Sequence, residues 1–129
     1  MTQISDGEPD VLELADRFFD AIERNDSDAL RQIYTPDVTV WHNHDRKGQD
    51  LETNLKVLSW LHRNVSDKRY DEVRRMPTAT GFVEQHVLRG TTKTGKVLDV
   101  PACLVITVTG GRISRIEEYV DSADLAALA

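Results

Sequence analysis

Three of the four histidines in this chain fall in two short runs with strand character. His42 and His44 close the run Val38-Thr-Val-Trp-His-Asn-His44, and His86 lies in Phe82-Val-Glu-Gln-His-Val-Leu88. Alternating Val, Phe and Leu predict one buried face, and histidine or glutamate fills a dry core poorly. Such residues on an inward face imply a sheet that borders a polar pocket. Histidine also exchanges protons near neutral pH. Glu118 stands mid-strand in the segment Arg112–Asp121, among apolar neighbours. A histidine near a carboxylate is a candidate general base, because the carboxylate raises its pKa and holds one tautomer. His86 and Glu118 are therefore the expected acid–base pair, although a buried pair that only satisfies itself would give the same pattern.

Other clusters carry less. His42 and His44, followed by Asp45, have the alternate spacing of two metal ligands on a strand, but a third and fourth must come from elsewhere. Because the strand gives way to the polar loop Asp45-Arg-Lys-Gly48, a surface loop accounts for His44 and Asp45, and no metal site is assigned. Gly90-Thr-Thr-Lys-Thr-Gly95-Lys96 matches most of a phosphate-binding loop. Val97 stands where a Ser or Thr must bind magnesium, and a strand follows instead of a helix, so the glycines serve a hairpin. Nothing adjacent in sequence would lower the pKa of Cys103, which reads as a small buried residue. His62 reads as a helix-face residue. Trp41 offers a flat apolar wall for a ligand ring or a plug for the mouth of the core.

The chain that must position these groups has 129 residues, enough for one real core. With 40% hydrophobic and 29% charged residues it has the composition of a soluble globular protein. A net charge of −6 argues against nonspecific binding to nucleic acid or anionic membrane. A single cysteine permits no intrachain disulfide, and no apolar run approaches a membrane span. The polar start lacks a signal-peptide pattern, and the cytoplasm is the expected location.

Residues 1–8 are expected to be loose. Pro9 then leads a helix from Asp10 to Asn25, with Leu12, Ala15, Phe18, Phe19 and Ile22 at three-to-four spacing. Asp26 or Ser27 caps a second helix carrying Leu30, Ile33 and Tyr34, and Pro36 stops it. Val38–His44 is the first strand. After Gly48 a third helix carries Leu51, Leu55, Leu58, Leu61 and Val65 on one side. The period then changes to two, predicting strands over Arg69–Met76, Gly81–Thr91, Lys96–Thr109 and Arg112–Asp121, with Thr109-Gly-Gly-Arg112 a tight hairpin. Residues 122–129 form a short helix or a tail. Three helices in the first half beside a long curved antiparallel sheet make an α+β fold, a cone with an interior cavity. Parity puts Phe82, Glu84, His86 and Leu88 on one face, and Ser114, Ile116, Glu118 and Val120 on another. The strand around Pro101, Cys103 and Val105 is apolar on both faces, so it is central, with one face available to a second subunit.

This order of elements, with Asp37-Val-Thr-Val-Trp-His-Asn43 following two helices, resembles the NTF2-like superfamily, and more narrowly its SnoaL-like and ketosteroid-isomerase-like members. The resemblance spans about residues 9–122. It implies a cone-shaped, cystatin-like roll, a deep pocket and dimerisation through the sheet. Members include isomerases, cyclases, dehydratases, epoxide hydrolases and noncatalytic binders. Aligned with ketosteroid isomerases, the oxyanion-hole Tyr and Asp fall on Phe18 and Cys103, and the base on His42. Phe18 has no donor and Cys103 a weak one, so that oxyanion hole is missing. Aligned with limonene-epoxide-hydrolase-like members, Trp41, Asn43, Glu84, His86 and Glu118 are the counterparts. The two alignments disagree by one residue on whether His42 or Asn43 points inward. The implied protein is a homodimer with a pocket for a small hydrophobic cyclic or polyketide-like molecule. In it His86, Glu118 and His42 do acid–base chemistry without a cofactor, while Trp41, Asn43, Phe18 and Cys103 contact substrate. A noncatalytic binding or regulatory module is the alternative.

Overall fold

The computed structural model describes residues 10–129; the expected loose segment 1–8 and Pro9 lie outside the described residues. Helix α1 (Val11–Glu23) starts where the Asp10 carboxylate accepts a hydrogen bond from the Leu12 N–H, and it buries Leu14, Ala15, Phe18, Phe19 and Ile22. Of the two capping candidates for α2 (Ser27–Ile33), Asp26 is the one used, accepting from the Ala29 N–H at 3.0 Å. Tyr34 is already extended, so strand β1 (Tyr34–His42) begins four residues before the expected start. Pro36 explains this: it forbids helix at the preceding residue and favours extended backbone.

The loop after β1 is short. Asn43–Arg46 form a turn, and β2 (Lys47–Gln49) returns along β1, a hairpin that sequence periodicity does not predict. Helix α3 (Leu51–Asn64) is capped by Asp50. Strands β3 (Val65–Pro77), β4 (Gly81–Thr92), β5 (Val97–Thr109) and β6 (Arg112–Val120) follow, and a 3₁₀ helix (Ser122–Leu128) occupies the segment left as helix or tail. Val65, expected on the third helix, instead opens β3. Gly110 and Gly111 both have positive φ, which a tight hairpin turn demands and glycine permits without steric cost.

The strands form one curved, unclosed sheet in the order β2-β1-β6-β5-β4-β3. Four of the five pairings are antiparallel and β1 runs parallel to β6, so the sheet is mixed. Its curvature has visible causes. Register breaks in β3 fall between Ser66 and Arg69 and between Asp71 and Arg74, and Asp67 and Glu72 take positive φ there. At the start of β4 a side chain on Gly81 would run into the Ile106 carbonyl of β5, so only glycine permits this close approach.

The main core lies between the helices and the concave face, built from Phe18, Phe82, Leu104, Ile106, Ile113 and Ile116 among others. A second cluster of Val65, Leu98 and Val100 receives Leu61, Leu125 and Leu128. The expectation of an α+β cone with helices against a curved sheet holds. No described helix is long and apolar enough to cross a membrane.

Candidate functional site

The concave face and helices α1 and α3 enclose a cavity of about 290 Å³. Its walls are mostly apolar, with Phe18, Phe19, Ile22, Val40, Leu104 and Ile116. Val57 and Trp60 of α3, both exposed, line it together with Leu125 and Leu128 of the 3₁₀ helix. The polar groups that reach it are few: His42, His44, His86, Glu118, Tyr34, Tyr70, Asn54 and Gln49. A mostly apolar cavity with a small set of convergent polar groups is the usual form of a small-molecule site.

Parity settles the disputed register of β1. Val38 and Val40 are buried, and His42 follows them inward. The expected substrate contacts Trp41 and Asn43 therefore point to the other face. Trp41 packs edgewise on Tyr119, which is 45% exposed. Asn43 bonds the Val120 backbone in both directions, accepting from its N–H at 2.9 Å and donating to its carbonyl at 3.1 Å. Asn43 thus latches β1 to β6. Cys103 also faces outward, because its inward neighbours Ala102 and Leu104 carry the buried positions. Trp41, Asn43 and Cys103 leave the set of cavity residues, while Phe18 stays in it. His44 sits in the turn as expected, yet its ring reaches the cavity, edge-on to His42.

The expected pair of His86 and Glu118 is also redistributed. Parallel pairing of β1 with β6 sets His42 directly opposite Glu118, and His42 Nε2 lies 2.8 Å from Glu118 Oε1. His86 is two strands away, on β4, where Nδ1 lies 2.5 Å from Glu84 Oε2. Backbones two strands apart are separated by roughly 10 Å, so each histidine has its own carboxylate. Both pairs are inward and both histidines line the cavity.

The two pairs differ in what they leave open. Nδ1 of His42 is sealed from solvent and has no hydrogen-bond partner among the described residues, and Nε2 is taken by Glu118. His42 is thereby a holder of Glu118, and the second carboxylate oxygen, Oε2, remains for a ligand. Burial works against the charged imidazolium of His42, but the hydrogen bond and charge of Glu118, aided by Asp45, outweigh it, and the pKa lies above its ordinary 6.5. A folded-state pKa above the unfolded value means stabilisation that is complete below about pH 6.5 and fades as pH rises through the folded pKa. Urea unfolding at a series of pH values should show the stability gap between wild type and His42→Gln narrowing on the alkaline side; a gap that widened there would reverse the assignment.

Two phenols complete the polar lining. Tyr34 donates its O–H to Asn54 Oδ1 at 2.7 Å, and Asn54 donates to Gln49 Oε1 at 3.1 Å. Tyr70, from β3, packs its ring on Phe19 and His86. Burial, reinforced by the negative charge of Glu118, pushes both hydroxyls far above the ordinary phenol range. Each therefore stays a neutral O–H donor. Tyr34 spends its proton on Asn54, whereas the bond Tyr70 makes to Glu23 uses its backbone N–H and not its hydroxyl. Among the described residues, no group of three or more His, Cys, Asp or Glu side chains converges in a metal-binding arrangement.

The SnoaL-like domain family matches residues 15–116, most of the chain. This chain is a SnoaL-like protein. Its fold is shared with solved structures at low sequence identity. A candidate polyketide cyclase from Xanthomonas campestris superposes with a TM-score of 0.79 at 17% identity, covering 91% of this chain and 94% of that one. IdmH, a candidate polyketide cyclase from Streptomyces antibioticus, gives a TM-score of 0.79 at 20% identity over 93% and 99% of the two chains. A protein with a ketosteroid isomerase-like fold from Catenulispora acidiphila, solved with trimethylamine, gives 0.72 at 14% identity over 83% and 84%. In this SnoaL-like protein the first helix places Phe18 on the cavity wall, where it supplies no hydrogen-bond donor. Tyr70 brings a donor from a different element. Sequence reasoning missed it because its strand does not keep a simple alternation.

Proposed function

We propose that this SnoaL-like protein is a cofactor-independent acid–base enzyme. Its substrate is a hydrophobic cyclic or polyketide-like compound, and Glu118 is the proton acceptor. The observation that carries this reading is the Glu118 carboxylate on the wall of an apolar cavity, with one oxygen held by His42 and the other unclaimed. A carboxylate in such surroundings can take a proton from a carbon next to a carbonyl. The electron pair then moves onto the carbonyl oxygen, and a hydrogen bond from the Tyr70 hydroxyl stabilises the developing enolate. Returning the proton at another carbon gives isomerisation; attack of the enolate carbon on a second carbonyl gives ring closure, with the proton passed to the new alkoxide. Dehydration and water addition to an epoxide use the same two groups.

The test is a thermal-shift screen of cyclic ketones, phenols and linear polyketide analogues, followed by NMR of each binder in deuterated buffer. Exchange of a ligand C–H proton for deuterium, or formation of an isomer or ring, supports the enzyme reading. Binders that keep every C–H and every bond would instead make the protein a noncatalytic ligand-binding module.

A homodimer through the convex face of the sheet belongs to the same proposal. Val105 and Tyr119 are exposed there on the adjacent strands β5 and β6, and Met76 is exposed on the same face at β3. Light scattering should report twice the monomer mass, and Val105→Arg should reduce it to the monomer by burying a charge in the interface. A monomeric wild type at high micromolar concentration would reject the dimer. The half-buried thiol of Cys103 suits a reducing cytoplasm.

A further inference from the structure

The His86 pair is more than a buried contact. Glu84 is wholly buried, and its two oxygens face different partners: Oε1 binds Arg75 Nε and Oε2 binds His86 Nδ1. Arg75 reaches Asp16 of α1 with Nη1 and lays its guanidinium over Phe19, 5.4 Å from the ring centre. A chain of charge-assisted bonds thus runs from the exposed Asp16 through Arg75 and Glu84 to His86 on the cavity wall. An ionised carboxylate only accepts, so Nδ1 of His86 must be the protonated nitrogen. When that is the only proton on the ring, Nε2 carries a lone pair. Phe19 and Tyr70 fix the ring plane.

We infer that His86 Nε2 is a hydrogen-bond acceptor for the ligand, held in that role by Asp16, Arg75 and Glu84 as positioning residues, and that the ligand carries a phenolic or enolic hydroxyl. This rests on the proposed use of the cavity and adds a second polar contact, apart from Glu118. The ligand it describes has an apolar ring skeleton with a hydroxyl directed at β4 and its reacting carbon at β6. An acceptor with no donor of its own discriminates a hydroxyl from an ether of the same skeleton, because only the hydroxyl brings a proton.

Glu84→Gln tests the mechanism at nearly constant volume. Arg75 can only donate, so it keeps the amide oxygen, and the amide NH₂ falls against Nδ1. Nδ1 must then accept, and the ring proton moves to Nε2. Two-bond ¹H–¹⁵N spectra of the ligand-free protein, recorded with the ring neutral, should show the proton on Nδ1 in the wild type and on Nε2 in Glu84→Gln. Calorimetric titration with 2-naphthol and 2-methoxynaphthalene should give a roughly tenfold preference for 2-naphthol in the wild type, and none or the reverse in the variant. Size affects both proteins alike, so the change in ratio isolates the hydrogen bond. A wild-type proton on Nε2, or a ratio untouched by the substitution, overturns the inference. If the spectra invert as expected but neither naphthalene binds the wild type, the cavity reading fails and the hydroxyl site falls with it, while the positioning chain stands on the spectra. Should Glu84→Gln not fold, the wild-type spectrum and the wild-type ratio still decide.

Discussion

Glu118→Gln should lower kcat by about 10²–10⁴-fold on any substrate found for this protein, with ligand affinity changed only several-fold. The amide keeps the shape of the side chain and can still meet His42 with its oxygen, but it cannot take a proton. Loss confined to kcat marks a group that acts in the reaction and not in binding. His42→Gln should cost less, about tenfold, because it releases the carboxylate from one fixed orientation without removing it. The measurement is steady-state turnover beside calorimetric affinity for the same compound. Deuterium exchange of the ligand gives a second readout, in which Glu118→Gln should stop exchange outright. A variant that turned over at the wild-type rate would remove Glu118 from the chemistry. The tenfold figure for His42 follows from geometry: one oxygen is pinned at 2.8 Å, and Nδ1 is closed to any ligand.

The second large effect is on stability. Glu84→Ala should destabilise the fold by about 3–5 kcal/mol, because it leaves the charge of Arg75 and the N–H of His86 without their buried acceptor. Glu84 is 0% exposed and is the shared partner of both. Urea unfolding measures the loss directly. Since domains of this size are commonly stable by 5–15 kcal/mol, the variant should be marginal at 37 °C. Glu84→Gln should cost clearly less, since its oxygen still meets Arg75 and its amide still meets the imidazole. A loss below about 1 kcal/mol for Glu84→Ala would mean that the pair of cationic and imidazole donors finds other partners. Asp16, at the exposed end of the chain, should matter little by itself, in keeping with the weak contribution of surface ion pairs.

Together these residues explain how one cavity holds two different polar points. Glu118 presents an open carboxylate oxygen, and His86 presents one ring nitrogen. Each is made directional by a neighbour that occupies its other polar atom, His42 in the first case and Glu84 in the second. Both are set in apolar surroundings, where an unmatched polar group is costly and a matched one is selective. Trp60 and Val57, large and exposed beside the cavity, extend its apolar lining outward.

Much of this was legible in the chain itself. The three-to-four spacing in Val11–Glu23 located α1 within two residues of its expected ends and put Phe18 on its buried face, while the family resemblance put Phe18 on the cavity wall. Thr109-Gly-Gly-Arg112 placed the last hairpin, because two consecutive positive φ angles leave glycine as the natural choice. Alternation along β4 and β6 put Glu84, His86 and Glu118 on inward faces, since a strand has a period of two wherever its ladder is regular. In β1 the two family alignments differ by one residue, which left His42 and Asn43 unresolved. Burial of Val38 and Val40 was needed to choose.

What only the tertiary structure decided is which residue meets which. His42 and Glu118 are joined by a parallel pairing between the first long strand and the last, a long-range contact that no local pattern encodes. Tyr70 and Arg75 both reach inward although an odd number of positions separates them, because the bulge between Asp71 and Arg74 shifts the alternation of β3. Their partners across the ladder, Leu88 and Glu84, share one face, and that is how Tyr70 arrives at the cavity and Arg75 at Glu84. The residue types and their periodicity determined that a sheet with polar groups on its inward face would form. The register of strands far apart in the chain, set by packing and by bulges, determined that those groups would stand as two separate pairs.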